Sequence, residues 1–267
     1  MEINGTYSDL FLVYPSMVKF KRALTWMMRA QLRYADARIT VADLLAEWVE
    51  TEAQGRSCEV IPNGADTDLF RPGIGVRPVV DETYVVFVGA LSPWQGVDTM
   101  LAATMSDYWP DGVKFILAGD GSERTHVIEA ALKTDRIRYL GTVPYKDVPG
   151  LLANSLVALS VQGGALAEVR RDFSAIKVYE GLACGVPVIV TPFPSQKRLI
   201  EEGKCGTVIP FDDSDALAQA IAFFHDNPRI REEMGKRARR IIETEHTWNC
   251  RAQATASVLE RLIKVSR

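Results

Sequence analysis

Apolar residues along this 267-residue chain come in two rhythms, short unbroken runs and longer stretches with three- and four-residue spacing. From Tyr84 onward the two alternate regularly. Unbroken runs at Tyr84–Val88, Val113–Leu117, Ile137–Leu140, Val157–Val161, Val186–Val190 and Gly206–Ile209 read as strands, most of them buried on both faces. Helical spacing falls between them. Val97, Met100, Leu101 and Thr104 share a face within 96–106, and further helices are expected over 122–132, 148–154, 174–183, 199–203 and 214–225. Strands separated by helices predict right-handed βαβ units. The expected fold is α/β, a doubly wound parallel sheet of Rossmann-like type. Two more helices, over 229–243 and 248–265, close the pattern.

Ahead of Tyr84 the pattern is less regular. Residues 1–14 read as irregular, with a turn signal at Asn4-Gly5-Thr6. A helix over 15–34 carries Val18, Leu24, Trp26, Met27, Met28 and Leu32 among Lys19, Lys21, Arg22, Arg29 and Arg33. Such a basic amphipathic helix suits an anionic membrane surface, or packing on a neighbouring domain with its charges solvated. A strand at 37–41, a helix over 42–53 and a strand at 59–62 follow, ending in the turn Asn63-Gly64. Glycine and proline between Pro72 and Pro78 mark a linker.

The stretch from Asp172 to Thr191 combines a turn, a helix and a strand. Ser174 is a suitable N-cap, and Ile176, Tyr179, Leu182 and Ala183 form the apolar face. Lys177 breaks the local rule, because a cation in the first turn faces the positive end of the helix dipole. That conflict suggests an anion beside the free N–H groups, most simply a phosphate. Phe173, Lys177 and Glu180 fall on one side of the helix, where a cation and a carboxylate suit a phosphate and a ribose. A solvated Lys–Glu pair is the plainer alternative.

In a sheet of this kind, ligands bind beyond the carboxyl ends of the strands. The loop after Val88 begins with Gly89 and Ala90 and includes Gln95. The next carries Gly119-Asp120-Gly121, and the third Gly141-Thr142-Val143. Their glycines allow close backbone approach, and with the Ser174 helix they point to a nucleotide site. The third glycine and the later acidic residue of a dinucleotide fingerprint are lacking, so NAD is poorly supported.

Composition removes several other classes. A net charge of −3 gives no reason to expect a nucleic-acid partner. Cys58, Cys184, Cys205 and Cys250 form no C-x-x-C pair and suit free thiols in a reducing cytoplasm. His126, His225 and His246 stand apart without metal-ligand spacing, so no metal site is expected. There is no apolar run long enough to span a bilayer and no apolar signal core after Met1, which suits a cytoplasmic location. Neither a G-x-S-x-G elbow nor a Walker A loop occurs.

The order of motifs resembles glycosyltransferase family 4, retaining transferases of the GT-B fold. The matching pieces are A-D-A-R-I-T-V-A (35–42), V-I-P-N-G-A-D-T-D-L-F-R-P (60–72), F-V-G-A-L-S-P-W-Q-G-V-D (87–98) and F-I-L-A-G-D-G (115–121). Y-L-G-T-V-P (139–144), D-F-S-A-I-K-V-Y-E-G-L-A-C-G-V-P-V-I (172–189) and H-T-W (246–248) complete the series over most of the chain. The resemblance implies a nucleotide diphosphate sugar as donor, a hydroxyl acceptor (glycan, lipid or small molecule), and transfer with retention and without a metal ion. It also implies a place in glycan or polysaccharide biosynthesis. Asp172 and Glu180 occupy the ends of the family's E-x7-E motif, with Asp172 expected near the sugar and Glu180 on the ribose. The backbone of Ser174, Ala175 and Ile176, with Lys177, would meet sugar and diphosphate. Thr142 and Val143 would lie beside the base, and Gly89, Gln95 and Gly119 would line the donor.

The chain departs from the family in three ways. The first acid is Asp172 rather than Glu. Ala90 and Gln95 stand where many members carry an Arg and a Lys, with Arg170, Arg171 and Lys177 the nearest substitutes. Residues 1–64 are short for an acceptor domain, so the expected organisation is a remnant of that domain at 1–64 and a donor domain at 65–245. A final helix at 246–267 is expected to pack back toward the first part. A fragment or half of a split enzyme is the leading expectation. The alternatives are a non-catalytic nucleotide-sugar-binding subunit serving a separate acceptor-domain chain, or an unrelated doubly wound binding module.

Overall fold

The computed structural model describes residues 1–74, 81–163 and 172–265. Its first part is a small parallel sheet of three strands in the order β1 (Glu2–Ile3), β2 (Ile39–Thr40), β3 (Glu59–Val60). Residues 1–14, expected to be irregular, hold β1 and helix α1 (Tyr7–Val13). The Thr6 hydroxyl accepts from the Asp9 N–H while the Asp9 carboxylate accepts from the Thr6 N–H. This is a capping box with Asp in place of the usual Glu or Gln. The helix expected over 15–34 divides into a 3-10 turn, Pro15–Phe20, and α2 (Lys21–Tyr34). With α3 (Asp43–Glu52), α2 encloses a small core of Ile3, Leu32, Val49 and Ala53.

The second sheet has six parallel strands: β4 (Tyr84–Val88), β5 (Lys114–Ala118), β6 (Ile137–Gly141), β7 (Ala158–Ser160), β8 (Val188–Val190) and β9 (Gly206–Val208). Their spatial order is β6-β5-β4-β7-β8-β9, so the winding reverses between β4 and β7. Pleating divides the apolar residues between two cores. Val85, Phe87, Phe115, Leu117 and Ile189 face one side, against Met100 of α4 (Val97–Ala103), Val127 of α5 (Arg124–Lys133) and Phe224 of α9 (Ser214–Asp226). Tyr84, Val86, Ile116, Val188 and Val190 face the other. There they meet Leu152 of α6 (Val148–Ala153), Leu182 of α7 (Ile176–Ala183) and Ile200 of α8 (Pro194–Gly203). This is the doubly wound Rossmann-like sheet that the unbroken apolar runs predict. α8 starts well before the expected Leu199, because Pro194 is pre-shaped for the first helical position whereas the apolar face begins later.

α10 (Pro228–Glu245) runs over the second core, and Arg239 ties it down by donating to the carbonyls of Phe70, Ala183 and Thr67 at 2.6, 2.9 and 3.1 Å. The chain then crosses back. Ala65 bridges to Thr247, and α11 (Trp248–Val265) lies along the small sheet, with Val258 packed on Ile39 and Ile61. Arg251 donates to the Ile61 and Pro62 carbonyls and pairs with Glu2, while Arg261 pairs with Glu59 at 2.5 Å. Cys184 and Cys205 are buried, and burial pushes both thiols up to about 12.

The two sheets differ greatly in what holds them. Two-residue strands over a small core open more readily than five-residue strands buried between two cores. Amide exchange within residues 1–61 is therefore expected to be faster than at β4 and β5; equal protection across both sheets would contradict this.

Candidate functional site

The winding reversal between β4 and β7 leaves a crevice beyond their carboxyl ends. Around it three loops are stitched together by backbone. Gly89 N–H donates to the Ala118 carbonyl at 2.9 Å, and Gly119 N–H donates to the Gly141 carbonyl at 2.8 Å. Gly119 has φ +141°, and a Cβ on it would lie 1.8 Å from the Gly89 carbonyl oxygen. Only glycine fits there. Gly89, with φ +156°, faces the other way, where a Cβ would stand 2.6 Å from Lys177 Nζ. The absent side chain of Gly89 is what leaves room for the lysine amine.

Lys177 is the centre of the arrangement. The residue as a whole is half-buried, with its amine the deeper part. Nζ lies 3.9 Å from the centroid of the Phe87 ring and donates to Gln95 Oε1 at 2.9 Å. Burial lowers its pKa from the ordinary 10.5 to about 7, although the Glu180 carboxylate nearby favours the charged form. Glu180 is pushed the opposite way by burial, and it accepts a hydrogen bond from the Tyr145 hydroxyl at 3.1 Å. Tyr145 itself sits edge-on to Phe70 with ring centroids 5.5 Å apart. Lys177 and Glu180, one turn apart on α7, are thus both held in partly dehydrated surroundings where their charges are costly.

Two expectations about α7 need correction. Ser174 is not its N-cap: Ala175 occupies that place, and no described side chain caps the helix. The Ser174 hydroxyl instead donates to the Tyr179 hydroxyl at 2.9 Å and accepts from the Asn63 N–H at 3.2 Å. Asn63 Nδ2 also donates to the Ser174 carbonyl at 2.7 Å. Ile176, expected on the apolar face, is exposed, and Val178 takes its place with Tyr179, Leu182 and Ala183. The helix starts one residue later than expected, which moves Ile176 to its open first turn.

Asp172 is buried and its carboxylate is fully engaged. Oδ1 accepts from the N–H groups of Phe173 and Ser195 at 2.9 and 3.0 Å, and Oδ2 accepts from the Ser195 hydroxyl at 2.5 Å. It therefore caps α8 from outside the helix. Phe173 packs edge-on against Phe193, centroids 4.7 Å apart. Thr142 and Val143 lie just past β6, the first exposed and the second packed partly against the second core. Arg170 and Arg171 lie outside the described residues. Sequence reasoning missed Phe87, Tyr145, Asn63 and Ser195. Only Asn63, in its Asn-Gly turn, carried any local signal. His126, three residues after Glu123, comes within 3.1 Å of Asp98 and 3.7 Å of Glu123 on the surface. The ligand atoms of the three lie within 4.8 Å of one another, close enough to share a metal ion.

Among the described residues, the crevice offers glycine backbone, a helix start without a side-chain cap, a half-buried lysine and a carboxylate. A family model described as Glycosyl transferases group 1 matches residues 76–241. The chain is 28% identical over 201 residues to a phosphatidyl-myo-inositol mannosyltransferase of Mycobacterium leprae (strain TN), covering 73% of this chain and 51% of that protein. It thus spans about half the length of the curated relatives it matches. Its fold is similar to that of sucrose-phosphate synthase from Thermosynechococcus elongatus, with a TM-score of 0.78 at 19% identity over 99% of this chain and 67% of that one. It is also similar to Anabaena HepE in complex with UDP, with a TM-score of 0.72 at 22% identity over 86% and 65% of the two chains.

Two outcomes follow from this geometry. Asp172→Ala strands two amides and a hydroxyl, and is expected to lower stability by about 2–3 kcal/mol in urea unfolding. A loss within experimental error would show that the carboxylate is not a structural cap. For Lys177 the sign is set by its depressed pKa. Between about 7 and 10.5 the unfolded chain holds a proton that the folded chain releases, so this residue makes stability rise with pH across that window. Lys177→Met is expected to raise the melting temperature at pH 7, with the gain shrinking toward pH 10. A gain independent of pH would contradict the burial of the amine.

Proposed function

Because the chain belongs to the glycosyl transferases of group 1, we propose that it binds a nucleotide diphosphate sugar in the crevice between β4 and β7. The observation that carries the proposal is the seating of the Lys177 amine against Gly89, one turn from Glu180, at the winding reversal. A diphosphate on the Gly89 loop would draw the amine off Gln95 and Phe87 and supply the negative charge that it lacks. The start of α7, with the backbone of Ser174, Ala175 and Ile176, would add N–H groups to the same anion. Glu180 would accept from the ribose hydroxyls, while Thr142 and Val143 would lie beside the base and Gly119 would keep the floor flat.

The reaction proposed is transfer of the sugar to a hydroxyl acceptor with retention at the anomeric carbon, as in family 4 of the GT-B transferases. Departure of the diphosphate would be assisted by charge stabilisation from Lys177 and by positioning of the acceptor. No metal ion enters this proposal, since protein groups meet the diphosphate charge. The compartment proposed for the reaction is the cytoplasm. A second reading is favoured by Asp172, whose carboxylate is spent on Ser195 and Phe173 rather than left for a sugar. It is a nucleotide-sugar-binding subunit whose acceptor domain is on a separate chain.

Titration calorimetry with UDP, GDP and ADP tests the site. One of them is expected to bind, and Lys177→Ala is expected to weaken the diphosphate by ~1.5–3 kcal/mol while sparing the nucleoside. Glu180→Gln is expected to weaken nucleoside and diphosphate alike. Absence of binding by all three, or unchanged affinity in Lys177→Ala, would overturn the assignment.

A further inference from the structure

The first two loops of the crevice lead into α4 and α5, and backbone bonds hold the two helix starts together. Leu91 N–H donates to the Asp120 carbonyl at 2.9 Å, and Glu123 N–H donates to the Leu91 carbonyl at 3.0 Å. A Cβ on Gly121 would stand 2.2 Å from the Leu91 carbonyl oxygen, so these loops touch. Asp98 lies in the first turn of α4, Glu123 just before α5, and His126 in the first turn of α5. Glu123 and His126 have the i,i+3 spacing that turns a carboxylate and an imidazole to one side of a helix. Asp98 reaches the same point from the neighbouring helix. His126 Nδ1 is 3.1 Å from Asp98 Oδ1 and 3.7 Å from Glu123 Oε2. Among the described residues this is the one group of three potential metal ligands whose donor atoms all lie within 4.8 Å of one another. Among the same residues neither carboxylate has a lysine or arginine within ion-pair distance. Arg124, between Glu123 and His126, turns to Asp120 at 3.6 Å instead.

We propose, against the expectation drawn from histidine spacing, that Asp98, Glu123 and His126 bind one divalent transition-metal ion of the zinc type. Ligand atoms about 2.1 Å from a shared ion stand roughly 3–4 Å from one another. Both contacts of His126 are already in that range, and the mostly exposed Asp98 side chain is free to rotate toward Glu123. The ion would take the Nδ1 lone pair of a neutral imidazole, whose proton stays on Nε2, and one oxygen from each carboxylate. Water would complete the shell. The two carboxylates balance the charge of a divalent ion. An imidazole among the ligands favours zinc over magnesium and calcium, which take oxygen donors. Bound there, the ion would clip α4 to α5 across the loops that begin at Gly89 and Gly119. Asp98 is three residues beyond Gln95, the acceptor of Lys177, so the clip also steadies that segment. Its effect is on stability and loop order, not on the reacting groups.

Titration calorimetry with zinc chloride and magnesium chloride, on the full chain stripped with EDTA and dialysed, tests it. One zinc ion per chain is expected to bind, with magnesium weaker by about ten-fold or more. His126→Ala and Asp98→Asn are each expected to weaken zinc by about ten-fold or more. His225→Ala, which removes the other exposed histidine paired with an aspartate, is expected to leave zinc binding unchanged. Zinc is also expected to raise the melting temperature of the parent chain and to slow amide exchange over 91–98 and 120–126. It should do neither in His126→Ala. Asp98 and His126 are exposed, and circular dichroism checks that their variants stay folded. Absence of zinc binding, binding that survives both substitutions, or its loss in His225→Ala would overturn the proposal.

Discussion

A lysine amine seated against glycine and a phenyl ring is the constraint on which the crevice depends. Among the described residues Lys177 Nζ has one hydrogen-bond acceptor, Gln95, and burial lowers its pKa to about 7. Such a position is unfavourable for the folded chain alone, which is why the surroundings are so closely specified. Gly89 must lack a side chain, Gly119 must lack one to let Gly89 approach, and Phe87 must present its face. Strain of this kind persists where neighbouring structure over-determines it, and it gains meaning when a ligand supplies the missing partner.

Over-determination is visible around α7. The loop before it is held on one flank by Asp172 bonded to Ser195 of α8, and on the other by Ser174 bonded to Asn63. Tyr179, a turn further on, takes the Ser174 hydroxyl bond and packs its ring on His246 at 5.4 Å. Asn63 and His246 are the points at which the chain enters and leaves the six-stranded unit. The start of α7 is therefore tied to both crossings, and movement of the small sheet would be felt at the helix end that faces the crevice. Arg198 of α8, paired with Asp43 of α3, adds a third link between the two units.

Much of this was legible in the chain. Strands buried on both faces leave unbroken apolar runs, so the βα alternation, and with it a crevice beyond the strands' carboxyl ends, could be read directly; the strand order that sets its place between β4 and β7 could not. Lys177 could be singled out as a cation where the helix dipole disfavours one. Its actual environment could not, because Phe87, Gln95 and Gly89 lie far off in sequence and meet it only through the fold. Ser174 shows the limit most clearly. As a residue type it fits an N-cap, but Asn63 and Tyr179 compete for its hydroxyl, and neither local spacing nor propensity reveals competitors. α1 was missed for a smaller reason: Asp9 does the work of the Glu or Gln by which a capping box is recognised.

Ala90 and Gln95 stand where the resemblance to family 4 leads one to expect cations, and the buried amine gives a reason why they belong together. A lysine at position 95 would bring a second ammonium to within hydrogen-bond distance of Lys177 Nζ, since the Gln95 amide oxygen is 2.9 Å away. Two like charges at that separation, partly dehydrated, repel strongly enough that one would leave or lose its proton. Gln95 instead offers an acceptor, which stabilises the lysine whether or not it is charged. A short side chain at position 90 likewise brings no competing cation beside Gly89. Among the described residues, Lys177 is thus left as the cation nearest the crevice, with Gln95 as its acceptor. The start of α7, which no described side chain caps, would supply further attraction through N–H groups that carry no net charge.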